Sequence, residues 1–235
     1  MEGPRFAIYF VPAAGTVFYR FGASVLGYDC YTGEAVARPR AIDLPESDWA
    51  ALTAEPATYG FHATLKAPFR LRGDFEPEDI RARLQTLAAS IPVIHFAGAV
   101  QLIAGFVAVV PVAPLPAIDR LAADCVTAFD HFRLPATEAE RNRRLAAGLS
   151  PRQTEHLDRW GYPYVFEEFR FHMTLTGRLD PERREAIHAR LQCEFARQCG
   201  ADAIQIDRIA LVRQAEPRAR FRVVSQVRLT RNSAG

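Results

Sequence analysis

Two short stretches carry the same four-residue pattern, His62-Ala63-Thr64-Leu65 and His172-Met173-Thr174-Leu175. In an extended strand alternate residues share a face, so the histidine and threonine of each stretch point the same way. An imidazole with a pKa near ~6.5 can hold or release a proton near neutral pH. Two imidazoles on opposite sides of a bound phosphorus would suit in-line displacement. One takes a proton from water and the other gives one to the leaving alkoxide, each transfer being worth about 10²–10⁴-fold. The Thr64 and Thr174 hydroxyls would donate to non-bridging oxygens, and this chemistry calls for no metal and no cofactor. A single His-x-Thr-Leu is a weak signal. Two copies among six histidines arise by chance roughly once in a hundred such sequences.

Other side chains are weaker candidates for the same cleft. Lys66 and Arg170 fall on the His/Thr faces and would bind substrate phosphate there. Tyr9, on the face of the first strand that carries Arg5, would line the cleft as a third substrate-binding residue. His95 begins an apolar strand, while His131, His156 and His188 read as solvated positions on helices. The run Arg141-Asn142-Arg143-Arg144 reads as a solvated helix face, with contact to RNA as the alternative.

The elements that must position these residues repeat. A strand over Arg5 to Val11 leads into a helix over Thr16 to Leu26, then a Gly-, Pro- and Asp-rich stretch from Gly27 to Thr58 with a helical turn near Trp49. The first motif lies in a strand over Gly60 to Leu71. A helix from Pro77 to Ser90 follows, then strands over Ile94 to Ala104 and Phe106 to Val112. The second motif lies in a strand over Val165 to Thr176, followed by a helix from Asp180-Pro181 to Gly200 and strands over Ala203 to Val212 and Arg220 to Leu229. Each half therefore reads motif strand, helix, strand, strand, which suggests duplication. The expected fold is α+β, two lobes of antiparallel sheet facing a central cleft with helices outside. As a single bilobal domain over 1–235, its lobe halves are about 1–113 and 162–235. The connection over 114–161 holds a helix (Ala117 to His131) and a helical pair with capping boxes at Thr137/Glu140 and Ser150/Gln153. The pair ends in Trp160-Gly161-Tyr162-Pro163-Tyr164, a lid or a lobe spacer.

Bulk properties narrow the class. About half of the 235 residues are apolar and a quarter charged, an ordinary globular composition. A net charge of +2 is too small for a general nucleic-acid coat, though a local basic cleft fits it. The four cysteines are scattered without C-x-x-C spacing, so free buried thiols are expected. Met1 to Gly15 lacks the charge and apolar run of a signal peptide, and Pro111, Pro114 and Pro116 interrupt the longest apolar stretch. These features predict a soluble cytoplasmic protein with no membrane partner, and say nothing of oligomeric state.

The paired motifs in duplicated α+β halves resemble the 2H phosphoesterase superfamily, which includes cyclic nucleotide phosphodiesterases and 2'-5' RNA ligase-like proteins. The resemblance implies that His62 and His172 are the acid/base pair and that Thr64 and Thr174 bind phosphate. A closer likeness spans nearly the whole chain, through Arg5-Phe6-Ala7-Ile8-Tyr9-Phe10, Leu26-Gly27-Tyr28-Asp29, Tyr59 to Lys66, and Trp160-Gly161-Tyr162-Pro163-Tyr164 through Arg170 to Thr176. It is to the domain of unknown function 1045 family, proteins often encoded beside carbon–phosphorus lyase genes and named for phosphonate metabolism. That likeness implies a cyclic phosphodiesterase acting on a small-molecule phosphodiester or nucleotide, a nucleoside 2',3'-cyclic or ribosyl cyclic phosphate. RNA end processing of the 2'-5' ligase kind and a non-catalytic phosphate-binding module are the alternatives.

Overall fold

The computed structural model describes residues 3–230 apart from 41, 43 and 201. The first half contributes β1 (Arg5–Phe10), α1 (Val17–Leu26), α2 (Glu46–Ala57), β2 (Ala63–Arg70), α3 (Pro77–Ala88), β3 (Ile94–Phe96), β4 (Gly98–Ile103) and β5 (Phe106–Pro111). Then come α4 (Pro116–Phe129), α5 (Glu138–Leu145) and α6 (Pro151–Trp160). The second half adds β6 (Met173–Thr174), α7 (Pro181–Cys199), β7 (Ile204–Ile206), β8 (Arg208–Gln214) and β9 (Arg222–Arg228). The protein is α+β, and all pairs between these strands are antiparallel.

Local chemistry sets many of the boundaries. The Thr16 hydroxyl accepts the Tyr19 N–H at the start of α1, and Gly27 ends that helix in the left-handed region. Both expected capping boxes form, Thr137 with Glu140 on α5 and Ser150 with Gln153 on α6. Pro181 occupies the first turn of α7, which buries Ile187, Leu191 and Phe195 and ends at Gly200. The stretch read mostly as loop before the first motif holds a full twelve-residue helix, α2. Glu46 and Asp48 sit in its first turn, where they favour the helix dipole, and Trp49 and Thr53 are buried from it. Its weak amphipathic pattern and Pro56 hid it from a periodicity argument.

The sheets show that the halves interleave. One sheet runs β2-β1-β8-β9, another β4-β5-β6, and β3 pairs with β7. The first motif strand thus shares a sheet with the hairpin of the second half, and the second motif strand joins the hairpin of the first. Lobes built from 1–113 and 162–235 separately are not what these sheets form. The helices follow the crossovers: α3 packs on β8 and β9, α4 on β2, and α7 on β4. Each motif strand, helix, strand, strand series therefore begins in one sheet and ends in the other. A continuous core spans both, from Phe6, Ile8 and Phe10 of β1 through Val107 and Val109 of β5 to Leu191 of α7. Burial on that scale is the main favourable term in folding.

Candidate active site

The two motifs end up as near copies of one another. Each histidine lies just ahead of its strand, His62 before β2 and His172 before β6. Phe61, Ala63 and Leu65 are buried on one side, as are Phe171, Met173 and Leu175, while His62, Thr64, His172 and Thr174 remain half-exposed on the other. The strand expected over Val165 to Thr176 is reduced to β6, with a 3-10 turn at Phe166–Glu168 ahead of it. Alternation survives because the backbone is still extended next to the motif.

Both imidazoles are held by the same bond. His62 Nδ1 lies 2.9 Å from the Gly60 carbonyl oxygen and His172 Nδ1 lies 2.7 Å from that of Arg170. A carbonyl only accepts, so Nδ1 carries the hydrogen and donates, and Nε2 is the nitrogen left for chemistry. His62 Nε2 is 3.2 Å from the Thr64 hydroxyl. Burial lowers the His62 pKa to about 4, against the Gly60 bond which raises it, and the charge of His172 lowers it further. Gly60 has φ +77°, and a Cβ there would lie 2.7 Å from the Cys30 Cβ, so the carbonyl that orients His62 depends on glycine. At Gly22 of α1 an added Cβ would fall 2.0 Å from the Phe61 ring, so the absent side chain lets α1 seat the residue behind His62.

Tyr9, expected to line the cleft, lies against His62 but is itself only 1% exposed. Its ring stacks on His62 at 3.9 Å between centroids, and its buried hydroxyl has no hydrogen-bond partner among the described residues. Lys66 does not reach the cleft. Tyr9 pairs with Thr64 and Ile8 with Lys66, so Leu65 is an extra residue in β2. This bulge turns Lys66 to the Ile8 side of the sheet, where α4 packs. Its ammonium donates to Asp130 at 2.8 Å and to the Val126 carbonyl at 3.2 Å, and the side chain is 3% exposed. Arg170 is exposed and donates to the Glu167 and Phe169 carbonyls, so its guanidinium stays with its own loop. His156, read as solvated, is 5% exposed. Its Nε2 lies 3.2 Å from Glu167 without hydrogen-bond geometry. Of the cysteines, all free, Cys30 and Cys125 are buried, Cys199 is half-buried and Cys193 is exposed.

Several site residues escaped the sequence argument. Tyr59 lies 5.9 Å from the His62 ring and stacks on Phe221 at 5.4 Å, and Phe221 lies 6.0 Å from Tyr9. Phe221 precedes β9, at the far end of the chain, so only the interleaved topology brings it here. The connection over 114–161 is tied to the first sheet and to itself: Arg70 of β2 donates to Glu140 of α5, and Arg133 donates to the Arg159 carbonyl at the end of α6. Arg141 pairs with Asp158, tying α5 to α6.

Comparison with known proteins gives relatives of two kinds. Two are named ribose 1,5-bisphosphate phosphokinase PhnN. The one from Janthinobacterium sp. (strain Marseille) is 38% identical over 221 residues, 92% of this chain and 49% of the relative. The one from Laribacter hongkongensis (strain HLHK9) is 34% identical over 219 residues, 93% of this chain and 50% of the relative. The chain thus spans about half the length of the curated relatives it matches. Among solved structures, a conserved protein of unknown function from Agrobacterium tumefaciens has a TM-score of 0.45 at 14% identity, covering 95% of this chain and 86% of that one. E. coli LigT complexed with 3'-AMP has a TM-score of 0.42 at 15% identity, covering 97% of this chain and 99% of that one. With scores this low, the chemistry of the site rests on the chain's own geometry. The model of one family, described as protein of unknown function (DUF1045), matches residues 64–222, from the first motif threonine through the second motif to the start of β9. The chain belongs to the DUF1045 family.

Proposed function

We propose that the protein is a cyclic phosphodiesterase in which His62 and His172 move the protons. The observation that carries this reading is the repeated geometry: two half-exposed His/Thr pairs on two sheets, each imidazole held through Nδ1 and presenting Nε2. Water attacks the phosphorus of a strained cyclic diester, and its proton passes to His62 Nε2. The P–O bond to the leaving oxygen breaks, and that oxygen takes the proton from His172 Nε2. One water and one cyclic diester become one phosphomonoester with a free hydroxyl. His62 suits the base because burial against Tyr9 keeps it neutral down to about pH 4. His172 is then left as the acid, half-exposed and with Nε2 turned away from the Arg170 carbonyl that holds Nδ1. Thr64 and Thr174 supply hydroxyl donors for the non-bridging oxygens.

The substrate we favour is a ribosyl cyclic phosphate. Opening a 5-phosphoribosyl 1,2-cyclic phosphate at its 2-oxygen yields ribose 1,5-bisphosphate, the sugar in the name of the longer relatives whose length this chain half covers. Hydrolysis in EDTA of that compound and of nucleoside 2',3'-cyclic phosphates tests the proposal. Turnover confined to the nucleotides would remove the ribosyl assignment, and no turnover on either would remove the activity.

A further inference from the structure

Five arginines converge on one small pocket between the far end of β1 and β2 and the helical connection. Arg5, Arg70, Arg133, Arg143 and Arg144 line it, together with Glu140. Two of the five have carboxylate partners: Arg70 has Glu140, and Arg133 shares Asp130 with Lys66 and Arg159. Among the described residues Arg5 bonds only the neutral Gln214, and it lies over the Phe221 ring. Arg144 lies over the Tyr162 ring, and among the described residues neither it nor Arg143 has a carboxylate partner. Three guanidinium groups gathered without counter-charge repel one another, and the pocket is set to take an anion. Its volume of about 190 Å³ falls below the roughly 300–1,000 Å³ of a whole-ligand site, so it fits one group of a larger molecule.

This pocket and His62 lie along one sheet, β2-β1-β8-β9. Arg5 pairs with Arg70 and Tyr9 with Thr64, so Arg5 and Tyr9, four residues apart, share the cleft side. Their Cα atoms are about 13 Å apart along β1. Aromatic packing links the two ends, buried at Tyr9 and Phe221: His62 on Tyr9, Tyr9 near Phe221, and Phe221 under the Arg5 guanidinium. The Tyr9 hydroxyl is 1% exposed and has no hydrogen-bond partner among the described residues.

We infer that Arg5, Arg143 and Arg144 form a second anion subsite that holds a phosphomonoester of the substrate while the cyclic diester sits between the two histidines. The inference rests on the proposed activity and extends it: the substrate class is a cyclic phosphate that also carries a terminal phosphate. Specificity then comes from the distance between two phosphates rather than from a base or sugar. The packed Tyr9 and Phe221 rings, 1% and 0% exposed, hold that distance fixed.

The test separates binding from turnover. Calorimetry measures ribose 5-phosphate and ribose against the wild type and against Arg143→Gln/Arg144→Gln, with circular dichroism to confirm that the double variant folds. Ribose 5-phosphate is expected to bind the wild type with salt-sensitive affinity, and the double variant roughly tenfold or more weakly. Equal affinity in the two proteins overturns the subsite. A second arm compares kcat/KM for a ribosyl cyclic phosphate with and without its 5-phosphate. Equal values overturn the subsite while leaving the phosphodiesterase standing. Loss of ribose 5-phosphate binding in the double variant, with no turnover of any cyclic phosphate, supports the subsite and removes the proposed activity instead.

Discussion

Replacing Lys66 separates its two assignments, a substrate ligand on the cleft face or a buried ion pair behind it. Lys66→Met keeps most of the apolar stem and removes the ammonium. Lost with it are the 2.8 Å bond to Asp130 and the 3.2 Å bond to the Val126 carbonyl. Orphaning a buried charge costs about 3–5 kcal/mol, but Asp130 keeps Arg133 at 2.9 Å and Arg159 at 3.4 Å. The cost is therefore closer to that of one bond to a charged group, about 2 kcal/mol. For a chain of this length that lowers Tm by roughly 4–8 °C. A cycle with Asp130→Asn should return a coupling of about 1–3 kcal/mol. Thermal unfolding supplies the stability, and titration with a phosphate monoester supplies the binding. An unchanged Tm together with a tenfold or greater loss of phosphate binding would refute the bulge argument and return Lys66 to the cleft.

Other consequences follow from the same geometry. His62 stays neutral in the folded protein down to about pH 4, whereas the unfolded chain protonates it near ~6.5. Its contribution to stability therefore falls as pH drops from about 6.5 toward 4 and is constant above that window. Ring-proton NMR should show a His62 midpoint near 4, and His62→Gln should flatten the acid side of the stability curve. Gly60→Ala forces a φ of +77° on a residue with a Cβ and drives that atom into Cys30. A loss of more than ~2 kcal/mol in chemical denaturation is expected, and a variant as stable as wild type would contradict the placement. Thr137→Ala removes the capping box of α5 and should cost about 1 kcal/mol by the same measurement. An unchanged unfolding midpoint would show that the cap adds nothing.

Much of the site was legible because its signals are local. A repeated His-x-Thr-Leu, a period of two around each motif, and Ser/Thr caps with Glu or Gln three residues on are written in short windows, and the structure places them accordingly. What escaped is non-local. The Leu65 bulge that turns Lys66 away depends on how β1 and β2 pair, not on either strand alone. Phe221 meets Tyr9 only because β8 and β9 cross into the sheet of the first motif. The run Arg141-Asn142-Arg143-Arg144 looks like any solvated helix face until α5 packs beside Arg5, when Arg141 pairs with Asp158 while Arg143 and Arg144 line a pocket. Helix α2 was hidden for a different reason, since its apolar residues form no strong stripe and Pro56 sits within it.

The central claim is that two histidines share one proton-transfer reaction, and its most direct test is hydrolysis in EDTA by the wild type, His62→Ala and His172→Ala. The panel holds 5-phosphoribosyl 1,2-cyclic phosphate, nucleoside 2',3'-cyclic phosphates and a 2'-5' linked oligonucleotide, with unfolding curves run alongside. The account predicts turnover by the wild type and a fall of about 10²–10⁴-fold in kcat for each folded variant. Substantial activity in either folded variant would contradict it.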